Sequence, residues 1–260
     1  MDAKRRIGVL GGMGPEATLL FMQRVLNAVD AHDDADHIPL IVDNNTQVPS
    51  RIAAIIEGNG RSAGPALAEM AERLSYAGAE ALAMPCNTAH HFAGHITASV
   101  ATPFLNMVEL ASDAVAASQP ANIRVGMLGS PALQMAGVFV APLRARGLEP
   151  IYAADQDEML SIIREIKANG ATLQAQARLQ EAAQQMIDHG AGTIMVCCSE
   201  FSMLSKRVQS TVPMLDTIDV LVEACVAFSM GDIAPNMNPD LPVAVRRSSA
   251  VSASQFIDQQ

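Results

Sequence analysis

The sequence predicts an α/β fold with two pseudo-symmetric halves, each a parallel sheet flanked by helices, and an active site in the cleft between them. The first observation is that short apolar runs alternate with helix-like stretches, as in parallel sheets joined by right-handed crossovers. The second is that three segments recur in the same order: 6–12 with 124–130, 78–87 with 190–199, and 102–110 with 212–220. Such a repeat is typical of two similar α/β units in one chain.

Composition supports this fold and excludes several other classes of protein. The chain has 260 residues, half of them apolar and 17% charged, which is enough to bury a large core. A net charge of −10 argues against a broad nucleic-acid-binding surface, and the absence of Trp argues against base-stacking platforms. We find no secretory leader and no run of 18 apolar residues, so we expect a cytoplasmic protein with no membrane partner.

The elements of the first half follow from apolar runs and proline positions. A strand is expected at Ile7–Leu10, and Pro15 then begins a helix that runs to about residue 32. A stripe at three- and four-residue spacing predicts the buried face of this helix: Leu19, Met22, Leu26 and Val29. Further strands are expected at Ile38–Val42 and Ala81–Met84.

The second half repeats this order and sets the domain boundaries. A strand at Val125–Leu128 precedes a helix from Pro131 to about residue 146, and another strand is expected at Ile194–Val196. We expect an N-terminal domain over 1–115, completed by a helix at 217–230, and a C-terminal domain over 116–215. Residues 231–260, with turn signals followed by small polar residues, are expected to form a tail without a functional site.

Each half places a cysteine just after an expected strand, Cys86 after AEALAMP and Cys198 after TIMVC. Ligands of open α/β sheets bind beyond the carboxyl ends of the strands. The polar residues that follow, Asn87–Thr88 and Ser199–Glu200, predict helix starts, whose unpaired N–H groups would lower the pKa of each thiol. Two facing halves would present one thiol from each side of a cleft. That arrangement suits removing and adding a proton on opposite faces of one carbon.

The other two cysteines are expected to pack rather than react. Cys197 precedes Cys198 and should point to the opposite face of its strand, and Cys225 lies inside the apolar helix LVEACVAF. In a cytosolic protein, none of the four cysteines is expected to form a disulfide.

Two cofactor alternatives are weaker than the paired thiols. His90, His91 and His95 follow Cys86, but the second half has no matching histidines and the chain has no CxxC or HExxH spacing. We therefore expect no metal, and expect His90 to pack or hydrogen-bond near the site. Residues 12–17 match G-x-G-x-x-A, yet Glu16 would repel a pyrophosphate, so these glycines are expected to line the cleft and no cofactor is expected.

Four separated blocks of sequence resemble the aspartate/glutamate racemase family, with the closest similarity to its cofactor-independent aspartate racemase branch. They are GVLGGMGPEAT at 8–18, NNTQVPSR at 44–51, MPCNTAH at 84–90 and the CSE of VCCSEF at 196–201. The resemblance runs from about residue 6 to 230. It implies two α/β domains with the active site between them, a small-molecule acidic amino acid as the partner, and a homodimer.

The resemblance also implies roles for individual residues. Cys86 and Cys198 match the two catalytic cysteines, Arg51 matches an arginine that binds a substrate carboxylate, and Lys167 resembles a lysine that helps hold the distal carboxylate. The remaining substrate-binding candidates are Asn45, Asn87, Thr88, Met13 and Ser199.

Three positions depart from the family pattern. Ser50 stands where an aspartate often precedes the arginine, Cys197 replaces a glycine, and Ser199 replaces a threonine. These departures leave both cysteines in place and bear on the choice of substrate side chain.

The sequence therefore predicts an enzyme, a PLP-independent racemase of an acidic amino acid, aspartate first and glutamate second. One thiolate would remove the α-proton while one thiol delivers another. Two alternatives stay open: a cysteine-dependent isomerase or decarboxylase of a dicarboxylate, and a protein that binds an acidic amino acid without turning it over.

Overall fold

The structure is a computed structural model that describes residues 4–232, and the expected tail from residue 233 onward lies outside the described residues. Its strands form two four-stranded sheets in which every pairing is parallel. The first sheet has the order β2-β1-β3-β4: β1 Ile7–Gly11, β2 Leu40–Asn44, β3 Ala81–Ala83 and β4 Phe104–Leu105. The second has the order β6-β5-β7-β8: β5 Arg124–Leu128, β6 Glu149–Tyr152, β7 Thr193–Val196 and β8 Met214–Asp216.

Eleven α-helices connect and cover these strands within the described residues. Those of the first half are α1 Pro15–Asn27, α2 Arg51–Ile55, α3 Gly64–Tyr76, α4 Ala93–Ser99 and α5 Met107–Ser118. Those that follow are α6 Pro131–Ala136, α7 Val140–Ala145, α8 Gln156–Asn169, α9 Leu173–Asp188, α10 Ser199–Ser202 and α11 Thr217–Met230. Among residues 4–232, no helix combines the length and the apolar character needed to cross a bilayer.

The sequence repeat corresponds to equivalent strands of the two sheets. Its three paired segments contain β1 and β5, β3 and β7, and β4 and β8, which take matching places in the two strand orders. The predicted fold class is confirmed. Because both sheets are parallel, β3 and β7 end at the same edge of their sheets as the central strands β1 and β5 do.

The last helix packs on the first sheet although it follows the second sheet in the chain. Ile218, Leu221 and Phe228 of α11 share a core with Ile7 of β1 and Phe21 of α1. The chain thus crosses from β8 to the N-terminal half at the start of α11. The boundaries at 115 and 215 stay a prediction.

The buried face predicted for the first helix is wrong. Leu19 is 62% exposed and Leu26 is 45% exposed, whereas the buried residues of α1 are Ala17, Thr18, Phe21 and Val25. The hydroxyl of Thr18 fixes this orientation because it accepts the Gly12 N–H at 2.9 Å. Gly11 permits the approach, since a Cβ there would lie 2.6 Å from Thr18 Cγ2.

Several predicted boundaries also shift. The helix expected from Pro131 to about residue 146 is interrupted at Gly137, whose φ of +63° is a left-handed conformation that glycine adopts easily. The first helix ends at Asn27 rather than near residue 32, and the strand expected at 38–42 occupies Leu40–Asn44.

A buried ionic cluster joins α1 to the second half. Arg24 of α1 donates to Asp216 at 2.7 Å and to Asp219 at 2.8 Å. Asp216 also accepts from Ser202 at 2.8 Å and from Ser205 at 2.7 Å. These contacts fix the segment after Cys198 against the N-terminal half.

Candidate active site

A cavity of about 100 Å³ lies between the two sheets, at the carboxyl ends of their strands. Both halves contribute to its wall, so neither sheet forms it alone. Fifteen residues line it: Met13, Ser50, Arg51, Ile52, Cys86, Asn87, Thr88, Ser130, Ala132, Ile163, Lys167, Cys197, Cys198, Ser199 and Glu200.

Eight of the nine predicted site residues lie in this wall, and Asn45 does not. The Asn45 side chain instead accepts the Gln47 N–H at 2.9 Å, and its backbone packs closely against Gly12. Asn45 therefore shapes the loop after β2, and the structure gives it no direct place in the cavity.

Cys86 is held in a tight turn after β3 and is 7% exposed. Its N–H donates to the Met84 carbonyl at 2.8 Å. Its own carbonyl lies 2.9 Å from His90 Nδ1, and His90 Nε2 accepts the Met107 N–H at 3.1 Å. Since Nε2 is an acceptor, the ring proton is on Nδ1 and the imidazole is neutral.

Burial agrees with a neutral His90, because it lowers the pKa of the imidazole to about 4. Both ring nitrogens bond to backbone groups, as the sequence predicted for a histidine near the site. Within residues 4–232, no cluster of three histidine, cysteine or carboxylate side chains is arranged to hold a metal ion.

Cys198 follows β7, precedes α10 and is also 7% exposed. Its Sγ donates to Glu200 Oε2 at 3.1 Å. Burial and the neighbouring Glu200 carboxylate raise the pKa of this thiol well above its ordinary value, outweighing the opposing N–H groups of Glu200 and Phe201. The predicted lowering of the pKa is therefore wrong for Cys198.

Glu200 pairs with Lys167 across the wall of the cavity, with Lys167 Nζ 2.6 Å from Glu200 Oε1. Burial alone would raise the pKa of Glu200, but the Lys167 charge and its hydrogen bond bring that pKa below its ordinary value. Burial would likewise lower the pKa of Lys167, but the Glu200 carboxylate raises it. Both groups are charged at neutral pH.

Arg51 opens α2 and lines the cavity. Its Nη1 donates to the Pro49 carbonyl at 3.1 Å, and within the described chain it makes no ion pair. Ser50 occupies the position at which the resemblance leads us to expect an aspartate. Its hydroxyl accepts the Ala53 N–H at 3.2 Å and caps α2. The Arg51 charge is thus not neutralised by a neighbouring side chain.

Asn87 and Thr88 connect the two halves at the floor of the cavity. Asn87 Nδ2 donates to Thr217 Oγ1 at 3.0 Å, and Thr217 Oγ1 donates to the Val196 carbonyl at 3.0 Å. Thr88 Oγ1 and Ser130 Oγ are hydrogen-bonded at 3.2 Å. Asn87 also lines the cavity, and its Oδ1 is buried with no hydrogen-bond partner in the protein.

Sequence reasoning missed Glu200 and Ser130 as site residues. Each had a signal, because Glu200 lies in the CSE block and Ser130 is the last residue of the segment 124–130 that repeats 6–12. Cys197 packs in the core with Met127 and Leu133 as expected, although it also borders the cavity. Cys225 is fully buried in α11, which confirms its structural role.

Comparison with known proteins places this architecture among racemases. The family model described as Asp/Glu/Hydantoin racemase matches residues 10–225. The broad specificity amino-acid racemase RacX of Bacillus subtilis is 26% identical over 235 residues, which covers 85% of this chain and 96% of that protein.

Solved structures give the same grouping. An aspartate racemase from Picrophilus torridus aligns with a TM-score of 0.78 at 26% identity, covering 87% of this chain and 94% of that one. A glutamate racemase from Francisella tularensis aligns with a TM-score of 0.60 at 15% identity, covering 86% of this chain and 80% of that one, a likeness of fold alone.

Proposed function

Because this chain belongs to the Asp/Glu/hydantoin racemase family, we propose that it racemises an acidic amino acid by exchanging the α-proton between Cys86 and Cys198. Membership makes it a PLP-independent amino-acid racemase. Aspartate is the proposed substrate, with glutamate second. The observation that supports the mechanism is that two thiols from equivalent strand ends border one cavity.

The proposed chemistry is a proton exchange on opposite faces of one carbon. A thiolate takes the α-proton, so a C–H bond breaks and an S–H bond forms. The electron pair left on Cα spreads into the substrate carboxylate. The opposite thiol then gives its proton to Cα from the other face, and its sulfur keeps the bonding electrons.

The polar groups of the cavity suit the two ends of an α-amino acid. We assign the substrate ammonium to the side of the cavity that Asn87 lines, because Asn87 Oδ1 is an acceptor with no protein partner. Thr88 and Ser130 share one hydrogen bond, so one of their two hydroxyl protons is free to donate to the α-carboxylate, where negative charge develops during proton removal.

Arg51 is the observation that favours an acidic side chain. Arg51 lines the cavity, and its guanidinium has no carboxylate partner in the described residues, so it can pair bidentately with a second substrate carboxylate. Lys167 already pairs with Glu200, so its charge is partly neutralised and it attracts a substrate carboxylate less strongly than Arg51 does.

We also propose that the enzyme is a homodimer, which the family resemblance implies, and that it works in the cytoplasm, as the sequence analysis expects. Light scattering of the purified chain would measure its mass in solution. A mass near twice 27.4 kDa is expected.

The experiment that tests the function is incubation of the full chain with L-aspartate or L-glutamate in D₂O, with a reductant and no added cofactor. NMR would follow loss of the α-proton signal, and chiral chromatography would follow the enantiomers. We expect deuterium entry together with the D-isomer, faster for aspartate.

The same assay with alanine, leucine and lysine would compare acidic specificity with the broad specificity named for the Bacillus relative. Equal rates on all substrates would contradict the role given to Arg51. Binding of either acid without exchange would contradict racemisation and favour a binding protein. Conversion of maleate or an arylmalonate alone would favour a dicarboxylate enzyme.

A further inference from the structure

The two thiols have different neighbours two residues further along the chain. Glu200 follows Cys198 at that distance, and in the repeated segment Thr88 follows Cys86. Thr88 bonds to Ser130 of the other half, whereas Glu200 folds back onto the thiol of Cys198. Only one of the two otherwise similar strand ends thus sets a carboxylate against its cysteine.

The contacts of Glu200 assign a direction to the hydrogen bond with Cys198. Oε1 lies 2.6 Å from Lys167 Nζ, and Oε2 lies 3.1 Å from Cys198 Sγ and 3.4 Å from Ser199 Oγ. An ionised carboxylate can only accept hydrogen bonds. The proton between Glu200 and Cys198 therefore stays on sulfur. If Cys198 lost it, two negative charges would face each other with no hydrogen bond between them.

The Lys167 charge keeps Glu200 ionised, and the two side chains also border a second cavity. It has a volume of about 240 Å³, and the Lys167–Glu200 pair lies in its wall beside Gly14, Glu16 and Met203. A Cβ on Gly14 would stand 3.5 Å from Glu200 Oε1 and 3.6 Å from Lys167 Nζ, so glycine leaves the space beside the pair open. The contact between Lys167 and Glu200 is thus unobstructed, and it holds the carboxylate in its charged form despite burial.

We propose that Glu200 is a positioning residue that holds Cys198 in the thiol form, so that Cys198 is the proton donor in the direction of reaction in which Cys86 is the base. This inference rests on the proposed function. It deepens that function by dividing the roles of the two cysteines, which the repeat alone leaves equivalent.

The proton balance of one turnover follows. The Cys86 thiolate takes the α-proton and becomes a thiol, while the S–H bond of Cys198 breaks and its proton goes to the opposite face of Cα. Cys198 is left as a thiolate beside the Glu200 carboxylate, an unfavourable pair of like charges. After product leaves, Cys198 regains a proton from water and Cys86 gives its proton to water.

Other ionisable groups face this pair and belong in the design of the test. They come from three helices and two strand ends, and line one or both cavities: Lys167 of α8, Arg51 of α2, Glu16 of α1, Cys86 after β3 and Cys197 after β7. Glu16 is the matched control, because it is a carboxylate in the wall of the second cavity with no hydrogen bond to Cys198 among the described contacts.

The first test measures thiol protonation without using activity. Wild-type, Glu200→Gln and Glu16→Gln chains are treated with iodoacetamide from pH 6 to 10, and peptide mass spectrometry gives the alkylation rate of Cys198 relative to Cys86. For Glu200→Gln we expect about a tenfold or greater rise in the Cys198 rate at pH 7, because one unit of pKa is a factor of ten in thiolate. Glu16→Gln should match the wild type.

The second test is the pH profile of kcat/KM for racemisation. Its alkaline limb reports loss of the donor proton, so Glu200→Gln should move that limb to lower pH while Glu200→Asp keeps it nearer the wild-type position. A purely structural role would lower the rate without moving the limb. Glu200→Thr introduces the residue type that Thr88 provides two positions after Cys86. It should give the same shift as Glu200→Gln, and it replaces that variant in the test if Glu200→Gln does not fold.

An unchanged Cys198 alkylation rate in both Glu200→Gln and Glu200→Thr would overturn the proposal. An equal shift in Glu16→Gln would also overturn it, because the effect would then be one of general charge. Failure of the proposed function looks different: there the D₂O assay shows no exchange, while the alkylation result for Glu200 still stands.

Discussion

The turns that follow β3 and β7 are held by equivalent hydrogen bonds, but different side chains make those bonds. Four residues after each cysteine, a side chain reaches back to the cysteine's carbonyl: His90 Nδ1 lies 2.9 Å from the Cys86 oxygen, and Ser202 Oγ lies 3.3 Å from the Cys198 oxygen. The same side chains then contact the start of the helix after the next strand. His90 accepts from Met107 of α5, and Ser202 donates to Asp216, which caps α11.

This comparison separates what positions the thiols from what sets their charge. The repeated backbone brings Cys86 and Cys198 to one cavity, and the bonds four residues later hold each turn in place. The position two residues after each cysteine differs, because Thr88 bonds across the cleft while Glu200 accepts from the thiol. Similar halves can therefore carry out opposite steps of one reaction.

The largest expected effect comes from removing either thiol. Cys86→Ser and Cys198→Ser should each lower kcat for racemisation by about 10²–10⁴-fold or more, the range lost with a general acid or base. Chiral chromatography of the purified variants measures this. Cys225→Ala is the matched control, because Cys225 is buried in α11 away from the cavity, and it should keep its activity. Full racemisation by either serine variant would contradict the account.

A smaller effect distinguishes His90 from its counterpart Ser202. The pKa of His90 is lowered from 6.5 to about 4 in the folded chain, so the unfolded chain binds this proton first as pH falls. Above pH 6.5 the neutral imidazole costs the folded chain no stability. As pH falls from 6.5 towards 4, proton binding by the unfolded chain lowers the free energy of unfolding by about 3 kcal/mol.

Urea unfolding between pH 7 and 4 would measure that loss. His90→Gln keeps one donor and one acceptor but does not titrate, so its stability should fall less steeply over this range. Ser202→Ala should keep the wild-type steepness, since no titrating group is removed. An identical pH dependence in His90→Gln and the wild type would show that His90 does not carry this effect.

The sequence predicts the larger features of the molecule well because they follow from local pattern and repetition. Apolar runs and the repeat locate the central strands and bring Cys86 and Cys198 to strand ends. The orientation of α1 could not be found in this way, because it depends on the Thr18 hydroxyl approaching Gly11 and Gly12. That is a tertiary contact, and it turns the apparent stripe of Leu19 and Leu26 towards solvent.

The electrostatics of the site are the part that sequence reasoning missed. The position of Cys198 at a helix start suggests a lowered pKa, yet α10 has only four residues and its few N–H groups act against burial and a carboxylate. Depth of burial and the fold-back of Glu200 onto Cys198 are properties of the packed structure. Neither property can be predicted from the CSE motif at residues 198–200 alone.

The most direct test of the two-thiol account is α-proton exchange in D₂O by the single variants, each offered pure L- or pure D-aspartate. Each variant keeps one thiol on one face of the substrate, so Cys86→Ser should exchange one enantiomer and Cys198→Ser the other, both without inversion. Exchange by Cys86→Ser should be the slower of the two, because Glu200 holds the remaining Cys198 in the thiol form. That opposite preference is the result the account predicts. Exchange of the same enantiomer by both variants would contradict it.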